Sequence, residues 1–194
     1  MRDIAKIYGG QYGPEAGPWN LSLESKYLEY AITRFFEENF TLPEGARACN
    51  VGIGAGYWDR YLSYRPEISE LVSVDIDSDI CADFKACLEN EGSPNPVTVL
   101  ARDVLDCGEL RGRFDLVTMI GSTLREAGRF EAVLGMVLSL AKPGGSVYYQ
   151  SLYDSPEDRA RVEGLCAEHG MQVERYEFDT RHGRTAAYWK LTAE

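Results

Sequence analysis

The chain of 194 residues is predicted to fold as one α/β domain, with a mostly parallel sheet and helices on both faces. Short apolar runs alternate with helical patterns, and a glycine-rich turn directly follows the first of these runs. The last two runs form a hairpin whose residues alternate in polarity, which is typical of antiparallel strands with one exposed face. In such sheets, ligands bind beyond the carboxyl ends of the strands, where the strand order switches.

The N-terminal region is expected to contain an irregular segment followed by a helix. Residues 1–20 are rich in glycine, proline and aromatic side chains, so they are expected to form an arm or a lid rather than a regular element. The N-terminal helix is assigned to residues 21–41. Its periodic part is residues 23–40, where Leu28, Ile32 and Phe35 recur at helical spacing.

The other elements alternate along the chain, and we find neither an internal repeat nor a second domain in residues 1–194. After the strand within ARACNV, the predicted strands are residues 71–75, 97–101, 114–120 and 146–150. The predicted helices are residues 57–64, 78–90, 128–141 and 156–169. The hairpin is predicted at residues 171–178 and 185–191, with its turn at residues 181–184.

Charge and cysteine content narrow the class of protein. The formal net charge is −11 and no Lys/Arg-rich stripe offsets it, so a nucleic-acid partner is disfavoured. The five cysteines show no zinc-type spacing, which indicates reduced thiols and no metal site. No apolar run reaches about 18 residues and the N-terminus lacks a secretion signal. We therefore expect a cytoplasmic protein without a membrane partner.

The glycine turn is the strongest functional signal. Gly52, Gly54 and Gly56 follow a strand and open a helix, where glycine permits positive φ and lets a ligand approach the backbone. A dinucleotide fingerprint would place its third glycine at Tyr57, which disfavours NAD and FAD. No GxxxxGK[ST] motif is present, so a P-loop is also unsupported.

Two aspartates end the strands that follow this turn. Asp75 ends the second predicted strand, where a carboxylate can accept hydrogen bonds from both ribose hydroxyls of an adenosine ligand. Asp103 ends the third, where it can accept a hydrogen bond from an exocyclic adenine amine. Each aspartate alone could instead cap a helix. The glycine turn and both acids in this order favour an adenosine ligand.

These motifs resemble those of class I S-adenosylmethionine (SAM)-dependent methyltransferases. CNVGIGAG looks like their glycine motif, SVDID and LARDVLD like their second-strand and third-strand motifs, and FDLVTMIGSTL and LAKPGGSVYYQ like their fourth and fifth strands. The organisation is similar to that of small nodulation-type and natural-product members. The resemblance implies a Rossmann-like seven-stranded sheet whose last strand is antiparallel. It also implies SAM as cofactor, S-adenosylhomocysteine (SAH) as product, and the cofactor-binding residues Asn50, Gly52, Gly54, Gly56, Asp75, Ile76, Asp103, Val104, Ile120 and Gly121.

Within this resemblance, each residue has an expected role. The three glycines would lie against the methionine and ribose, and Ile120 and Gly121 would line the methionine side. Ile76 would lie against adenine, and Val104 would read the adenine edge together with Asp103. The chain departs from the family at Asn50, where the family usually has an acid. Either another acid compensates for the lost charge or SAM binds more weakly.

The acceptor side of the site carries few candidate bases. Methyl transfer gains much of its rate from proximity and alignment, so a general base is needed only for a protonated nucleophile. His169 and His182 are expected at the surface, and no metal-ligand cluster or DPPY-type signature follows the fourth strand. The expected acceptor-binding residues are Tyr8, Tyr12, Trp19, Ser122, Arg125 and Tyr153, with Thr123, Glu126, Gln150 and Asp154 nearby.

These observations predict an enzyme that methylates a small molecule on nitrogen or oxygen. A protein acceptor and a non-catalytic SAM-binding or SAH-binding protein stay open as alternatives, and an NAD-dependent reductase is more distant. The sequence decides neither the acceptor nor the oligomeric state.

Overall fold

The computed structural model describes residues 23–121, 123–152, 155–181 and 185–194, apart from the side chains of Thr123 and Arg125. Within these ranges the strands are β1 (Ala46–Val51), β2 (Ile68–Asp75), β3 (Val97–Ala101), β4 (Phe114–Gly121), β5 (Ala141–Ser151), β6 (Met171–Asp179) and β7 (Ala186–Ala193). The helices are α1 (Leu23–Asn39), α2 (Tyr57–Ser63), α3 (Ser78–Glu91), α4 (Thr123–Ala127), α5 (Phe130–Leu140) and α6 (Pro156–Glu168). Two 3₁₀ turns, Val104–Asp106 and Gly108–Leu110, link β3 to β4.

The seven strands form one sheet in the order β3-β2-β1-β4-β5-β7-β6. The pairs from β3 through β5 are parallel, and β7 runs antiparallel to both β5 and β6. The predicted fold is therefore confirmed. The strand order reverses between β1 and β4, so a crevice for a ligand is expected beyond the carboxyl ends of these two strands.

The core occupies both faces of the sheet, because successive side chains of a strand point to opposite faces. In β5, Val147 and Tyr149 pack with α5 and α6 on one face, whereas Tyr148 packs with α1 and α2 on the other. On the second face the ring of Phe35 stacks on the rings of Tyr148 and Tyr188, with centroid distances of 5.4 and 5.5 Å. These contacts fix α1 beside the carboxyl end of β5.

Several element bounds differ from the predictions. Strand β2 begins at Ile68 rather than at residue 71, because Ile68 and Glu70 already pair with β1, across an irregularity at Ser69. The predicted helix 128–141 starts later, at Phe130, and α4 precedes it, with Gly128 between them at φ 64°. Strand β5 begins at Ala141 rather than at residue 146, because its pairing with β4 continues through an irregularity opposite Phe114.

The C-terminal hairpin also departs from its predicted pattern. The four residues from Ala186 to Trp189 in β7 are all buried, so this strand does not alternate between a buried and an exposed face. The reason is its place between β5 and β6, where both of its faces are covered. The turn residues 182–184 lie outside the described ranges.

None of the described helices has the length and apolar character to cross a membrane.

Candidate functional site

The glycine turn joins β1 to α2 at the point where the strand order reverses. Gly54 has φ 52°, and a Cβ added there would meet no atom within 4 Å, so the backbone is open on that side. Gly56 has φ 72°, and a Cβ added there would lie 2.8 Å from Cδ2 of Phe84 on α3. Gly54 therefore leaves the turn accessible, whereas Gly56 lets α3 pack against it.

This difference predicts unequal costs for two alanine substitutions. Gly56→Ala combines a left-handed backbone with overpacking against Phe84, so we expect it to lower the free energy of unfolding by roughly 2–4 kcal/mol. Gly54→Ala is the matched control and should cost only roughly 1 kcal/mol, from its backbone conformation. Urea denaturation of the ligand-free proteins measures both, and equal costs would contradict the assigned packing role of Gly56.

Asp75 lies directly against the glycine turn. Its Oδ2 accepts hydrogen bonds from the backbone N–H of Ile53 at 2.7 Å and of Gly54 at 3.4 Å, and its Oδ1 accepts from Asp77 N–H at 2.9 Å. The side chain of the next residue, Ile76, is 70 % exposed although it is apolar. The structure thus brings together a carboxylate, an open backbone turn and an uncovered apolar side chain.

Asp103 lies two residues beyond the end of β3 and has two partners within the protein. Its Oδ1 accepts a hydrogen bond from Leu105 N–H at 3.0 Å, and its Oδ2 pairs with the guanidinium of Arg129 at 2.5 Å. The Arg129 hydrogen bond, together with the Leu105 N–H, lowers the pKa of Asp103. The carboxylate is therefore ionised at neutral pH, and it caps the 3₁₀ turn that begins with buried Val104.

Asn50 lies beneath the turn rather than at its surface, which corrects the expectation that this side chain contacts a ligand. It is 1 % exposed, and its Nδ2 donates to Gly52 O at 3.0 Å and to Oδ2 of Asp59 at 2.9 Å. Its Oδ1 accepts from the hydroxyl of Thr118 at 2.7 Å. All the polar atoms of this side chain are thus used within the protein, because the strand buries it against α2 and β4.

Asp59 is the acid behind Asn50, and sequence reasoning missed it. It is fully buried at the start of α2 and accepts hydrogen bonds from Asn50 and from the hydroxyl of Ser73 at 2.6 Å. Burial raises its pKa to about 7, against the lowering effect of these two hydrogen bonds. The sequence did contain a signal for Asp59, because it is an acid in the first turn of the helix that follows the glycine turn. The N-terminus of a helix carries partial positive charge and favours an acid there.

One cavity of about 640 Å³ opens over the glycine turn, within the 300–1,000 Å³ that is typical of small-molecule sites. Its walls come from the ends of β1, β2, β4 and β5, from α1, α2 and α3, and from the segments around the first 3₁₀ turn and α4. The expected residues that line it are Gly52, Gly54, Asp75, Ile76, Asp103, Val104, Ile120 and Gly121. Other lining residues include Ser25, Leu28, Glu29, Ile32, Ile53, Tyr57, Trp58, Gln150 and Leu152.

The charge of the cavity disfavours anions. Among the described lining residues, carboxylates outnumber guanidinium groups by five to two: Glu29, Asp75, Asp77, Asp103 and Glu126 against Arg102 and Arg129. Both arginines are paired, Arg102 with Glu109 and Arg129 with Asp103. Glu29 is paired with Lys26. The excess of carboxylates then comes from Asp75, Asp77 and Glu126. A cationic or neutral ligand is therefore favoured over an anionic one.

Two buried polar atoms of the cavity walls have no hydrogen-bond partner among the described residues: the hydroxyl of Tyr57 and Nε2 of Gln150. Buried polar groups are nearly always paired in folded proteins, so these two atoms call for an explanation. Tyr57 was not singled out from the sequence, because no sequence pattern reveals which hydroxyl stays unpaired. Gln150 was expected near this side of the site.

Most of the residues expected to bind the acceptor fall outside the described ranges: Tyr8, Tyr12, Trp19, Ser122 and Tyr153. Arg125 lies in α4, but its side chain is not described. These assignments stay predictions. The described part of the cavity wall also includes residues of α1, Tyr57 and the ends of β4 and β5.

Comparisons with known proteins agree with this fold. A family model described as a methyltransferase domain matches residues 48–145, which include the glycine turn, Asp75 and Asp103. No curated protein matches the chain in sequence.

Solved structures share the fold at low sequence identity. One is magnesium protoporphyrin IX methyltransferase from Synechocystis PCC 6803 with bound SAM, with a TM-score of 0.69, 16 % identity and coverage of 100 % of this chain and 99 % of that chain. Another is a SAM-dependent methyltransferase from Aquifex aeolicus, with a TM-score of 0.66, 18 % identity and full coverage of both chains.

Proposed function

The chain belongs to the methyltransferase domain family, and on that premise we propose that it transfers a methyl group from SAM to nitrogen or oxygen of a small molecule. The observation that carries the proposal is the single cavity that contains both the glycine turn with Asp75 and the apolar side chains of α1. A cofactor bound at the turn and an acceptor bound beside Leu28 and Ile32 would both lie in this cavity.

The adenosine end of SAM suits the groups around β2 and β3. We assign the ribose hydroxyls to Asp75, because its carboxylate lies at the open turn and retains lone pairs beyond those used by the backbone. Adenine is assigned to Ile76, whose exposed apolar side chain a flat ring would cover, and its polar edge to Asp103 and Val104.

The methionine end is assigned to the glycine turn and the end of β4. Gly52 and Gly54 line the cavity and let the backbone approach a ligand, while Gly56 supports the turn from behind. Ile120 and Gly121 line the cavity opposite them, at the carboxyl end of β4. The excess of carboxylates along the walls favours a ligand that carries positive charge.

SAM supplies a methyl group that is already activated by its sulfonium centre. The chain's own contribution is then to hold the acceptor close, to align it and to exclude water through apolar walls such as Leu28, Ile32 and Ile120. No histidine or lysine is among the described residues that line the cavity. We therefore propose that proximity and alignment supply most of the rate.

Ligand-dependent stabilisation tests the cofactor. SAH at 100 times its dissociation constant should raise the free energy of unfolding by about 2.7 kcal/mol and raise the melting temperature, while NAD should not. Differential scanning fluorimetry measures the shift. A shift with NAD, or no shift with either SAM or SAH, would argue against the proposal.

Turnover tests the acceptor class. The enzyme is incubated with methyl-labelled SAM and a metabolite extract, and labelled products are separated by size. We expect label in small molecules that depends on the enzyme and is lost in Asp75→Ala. Label confined to protein would favour a protein acceptor, and SAM binding without any turnover would favour a non-catalytic binding protein.

A further inference from the structure

We propose that the Tyr57 hydroxyl and the side-chain N–H of Gln150 form the acceptor subsite, and that together they bind a carbonyl-type oxygen of an uncharged molecule with an apolar body. This inference rests on the proposed function, because it concerns the acceptor that shares the cavity with SAM. Both residues line the cavity, and neither donor, each buried, has a partner among the described residues.

The side chain of Gln150 has a defined orientation. Its Oε1 accepts a hydrogen bond from the backbone N–H of Gly121 at 2.9 Å, and only the oxygen of the amide can accept there. The opposite atom, Nε2, is therefore the donor that has no partner in the described part of the chain, in a residue with 0 % exposure. Gln150 pairs in register with Ile120 on one side and Tyr188 on the other, so the strands hold its backbone in place.

The hydroxyl of Tyr57 is the second unpaired donor. Tyr57 follows Gly56 at the start of α2, and its ring packs among the apolar residues of α1 and the second core face. Burial, together with the negative charge of Glu29, raises the pKa of Tyr57 far above its usual range. The group is therefore a neutral phenol at neutral pH and can donate a hydrogen bond.

Leaving these two groups unpaired makes the ligand-free fold less stable than it could be. A buried donor without a partner forfeits the hydrogen bonds that it makes to water in the unfolded chain. A ligand that accepts from both donors would recover this loss, and an oxygen with two lone pairs does so with one atom. Tyr57 and Gln150 line the same cavity, and a small number of polar groups in a cavity wall fix the orientation of a small ligand.

The surrounding groups define the rest of the ligand. The same cavity is also lined by the apolar residues Leu28, Ile32 and Leu152, which favours an apolar body. Glu29 lies on the same side of the cavity, and the two arginines among the described lining residues are paired elsewhere. A carboxylate or phosphate group is therefore disfavoured, whereas a ketone, amide or ester oxygen fits the donors without adding negative charge.

A stability measurement tests whether the Tyr57 hydroxyl is unpaired. Tyr57→Phe removes the unpaired hydroxyl, so the ligand-free variant should melt at the same temperature as the wild type or higher. Tyr148→Phe is the matched control, because the Tyr148 hydroxyl is buried and donates to Ile32 O at 3.0 Å. The control should melt about 3 °C lower. An equal loss in Tyr57→Phe would overturn the proposal, because the hydroxyl would then be paired within the fold.

A binding experiment tests the ligand class, with three probes that share a phenyl ring: acetophenone, ethylbenzene and benzoate. Their affinities for the SAH-saturated protein are measured by ligand-observed NMR. We expect acetophenone to bind at least about tenfold more tightly than either other probe. Tyr57→Phe, and Gln150→Met as a second variant, should remove most of this preference. Failure of acetophenone to bind, or a preference that survives both substitutions, would overturn the proposal.

The affinity for SAH separates failure of this inference from failure of the proposed function. We expect Tyr57→Phe to bind SAH within about twofold of the wild type, measured by calorimetry. A loss of about tenfold would assign the hydroxyl to the cofactor and overturn the acceptor subsite, but it would leave the proposed function intact. No SAH binding by the wild type would instead overturn the proposed function itself.

Discussion

Replacing Asp75 with alanine is expected to weaken SAH binding roughly 100- to 10,000-fold, because charge-assisted hydrogen bonds of about 1.5–3 kcal/mol each to two ribose hydroxyls would be lost. The substitution also removes the acceptor for the N–H groups of Ile53 and Gly54, so the turn loses the contact that fixes its shape. Titration calorimetry with SAH measures the effect, and circular dichroism shows whether the variant is folded.

Asp77→Ala is the matched control, because this carboxylate lines the same cavity two residues away. Its side chain accepts from the N–H groups of Asp79 and Ile80 and caps α3, so its loss should cost about 1 kcal/mol of stability. SAH affinity should change by only a few fold. Equal losses of affinity in both variants would show that general negative charge, rather than the position of Asp75, holds the ligand.

Replacing Asp59 with asparagine is expected to stabilise the protein at neutral pH and to change how its stability depends on pH. Burial raises the folded-state pKa of Asp59 to about 7, well above its usual value, so the folded state retains a proton that the unfolded state releases. The wild type therefore loses stability as the pH rises from about 4 to 7, by on the order of 4 kcal/mol in total. The amide of the variant does not titrate.

Urea denaturation from pH 4 to 8 measures the difference in unfolding free energy between Asp59→Asn and the wild type. This difference should rise with pH up to about 7 and then level off, and it isolates Asp59 because the other titrating groups are common to both proteins. Ser73→Ala removes a hydrogen bond that lowers the pKa of Asp59. When both proteins also carry Ser73→Ala, the pH at which the difference levels off should therefore be higher. A flat difference curve would contradict the protonated state of Asp59.

The sequence predicted the sheet because its signals are local. Strand β3 was predicted with its observed bounds, since a short run of β-branched residues lies between a proline turn and an arginine–aspartate pair. The glycine turn and Asp75 were also placed correctly in sequence order. Their contact in space then follows from the parallel pairing of β1 with β2, which brings the carboxyl ends of both strands together.

The buried network around Asn50 could not be predicted in the same way. It joins Asn50 and Asp59 to Ser73 on β2 and Thr118 on β4, and these partners become neighbours only when three strands are aligned. Asn50 stands where the family usually has an acid, and the sequence left open whether another acid compensates or SAM binds more weakly. In the structure the amide supports the turn through Gly52 O, and an acid, Asp59, lies one layer deeper.

Strand β5 and Tyr57 show a second reason why the sequence alone was not sufficient. Pro143 and the glycines after it indicated a turn, yet the ladder with β4 extends on both sides of them, because a strand can contain an irregularity. Whether Tyr57 has a partner depends on how α1 packs over the sheet, and no sequence pattern carries that information.

A crystal structure of the protein with SAH tests directly whether the glycine turn and Asp75 bind the cofactor. We expect the adenosyl group over the turn that contains Gly52 and Gly54, with ribose oxygens about 2.7–3.0 Å from the Asp75 carboxylate. We also expect the adenine ring against Ile76. SAH bound elsewhere, or a ribose that makes no contact with Asp75, would contradict the assignment of this site to SAM.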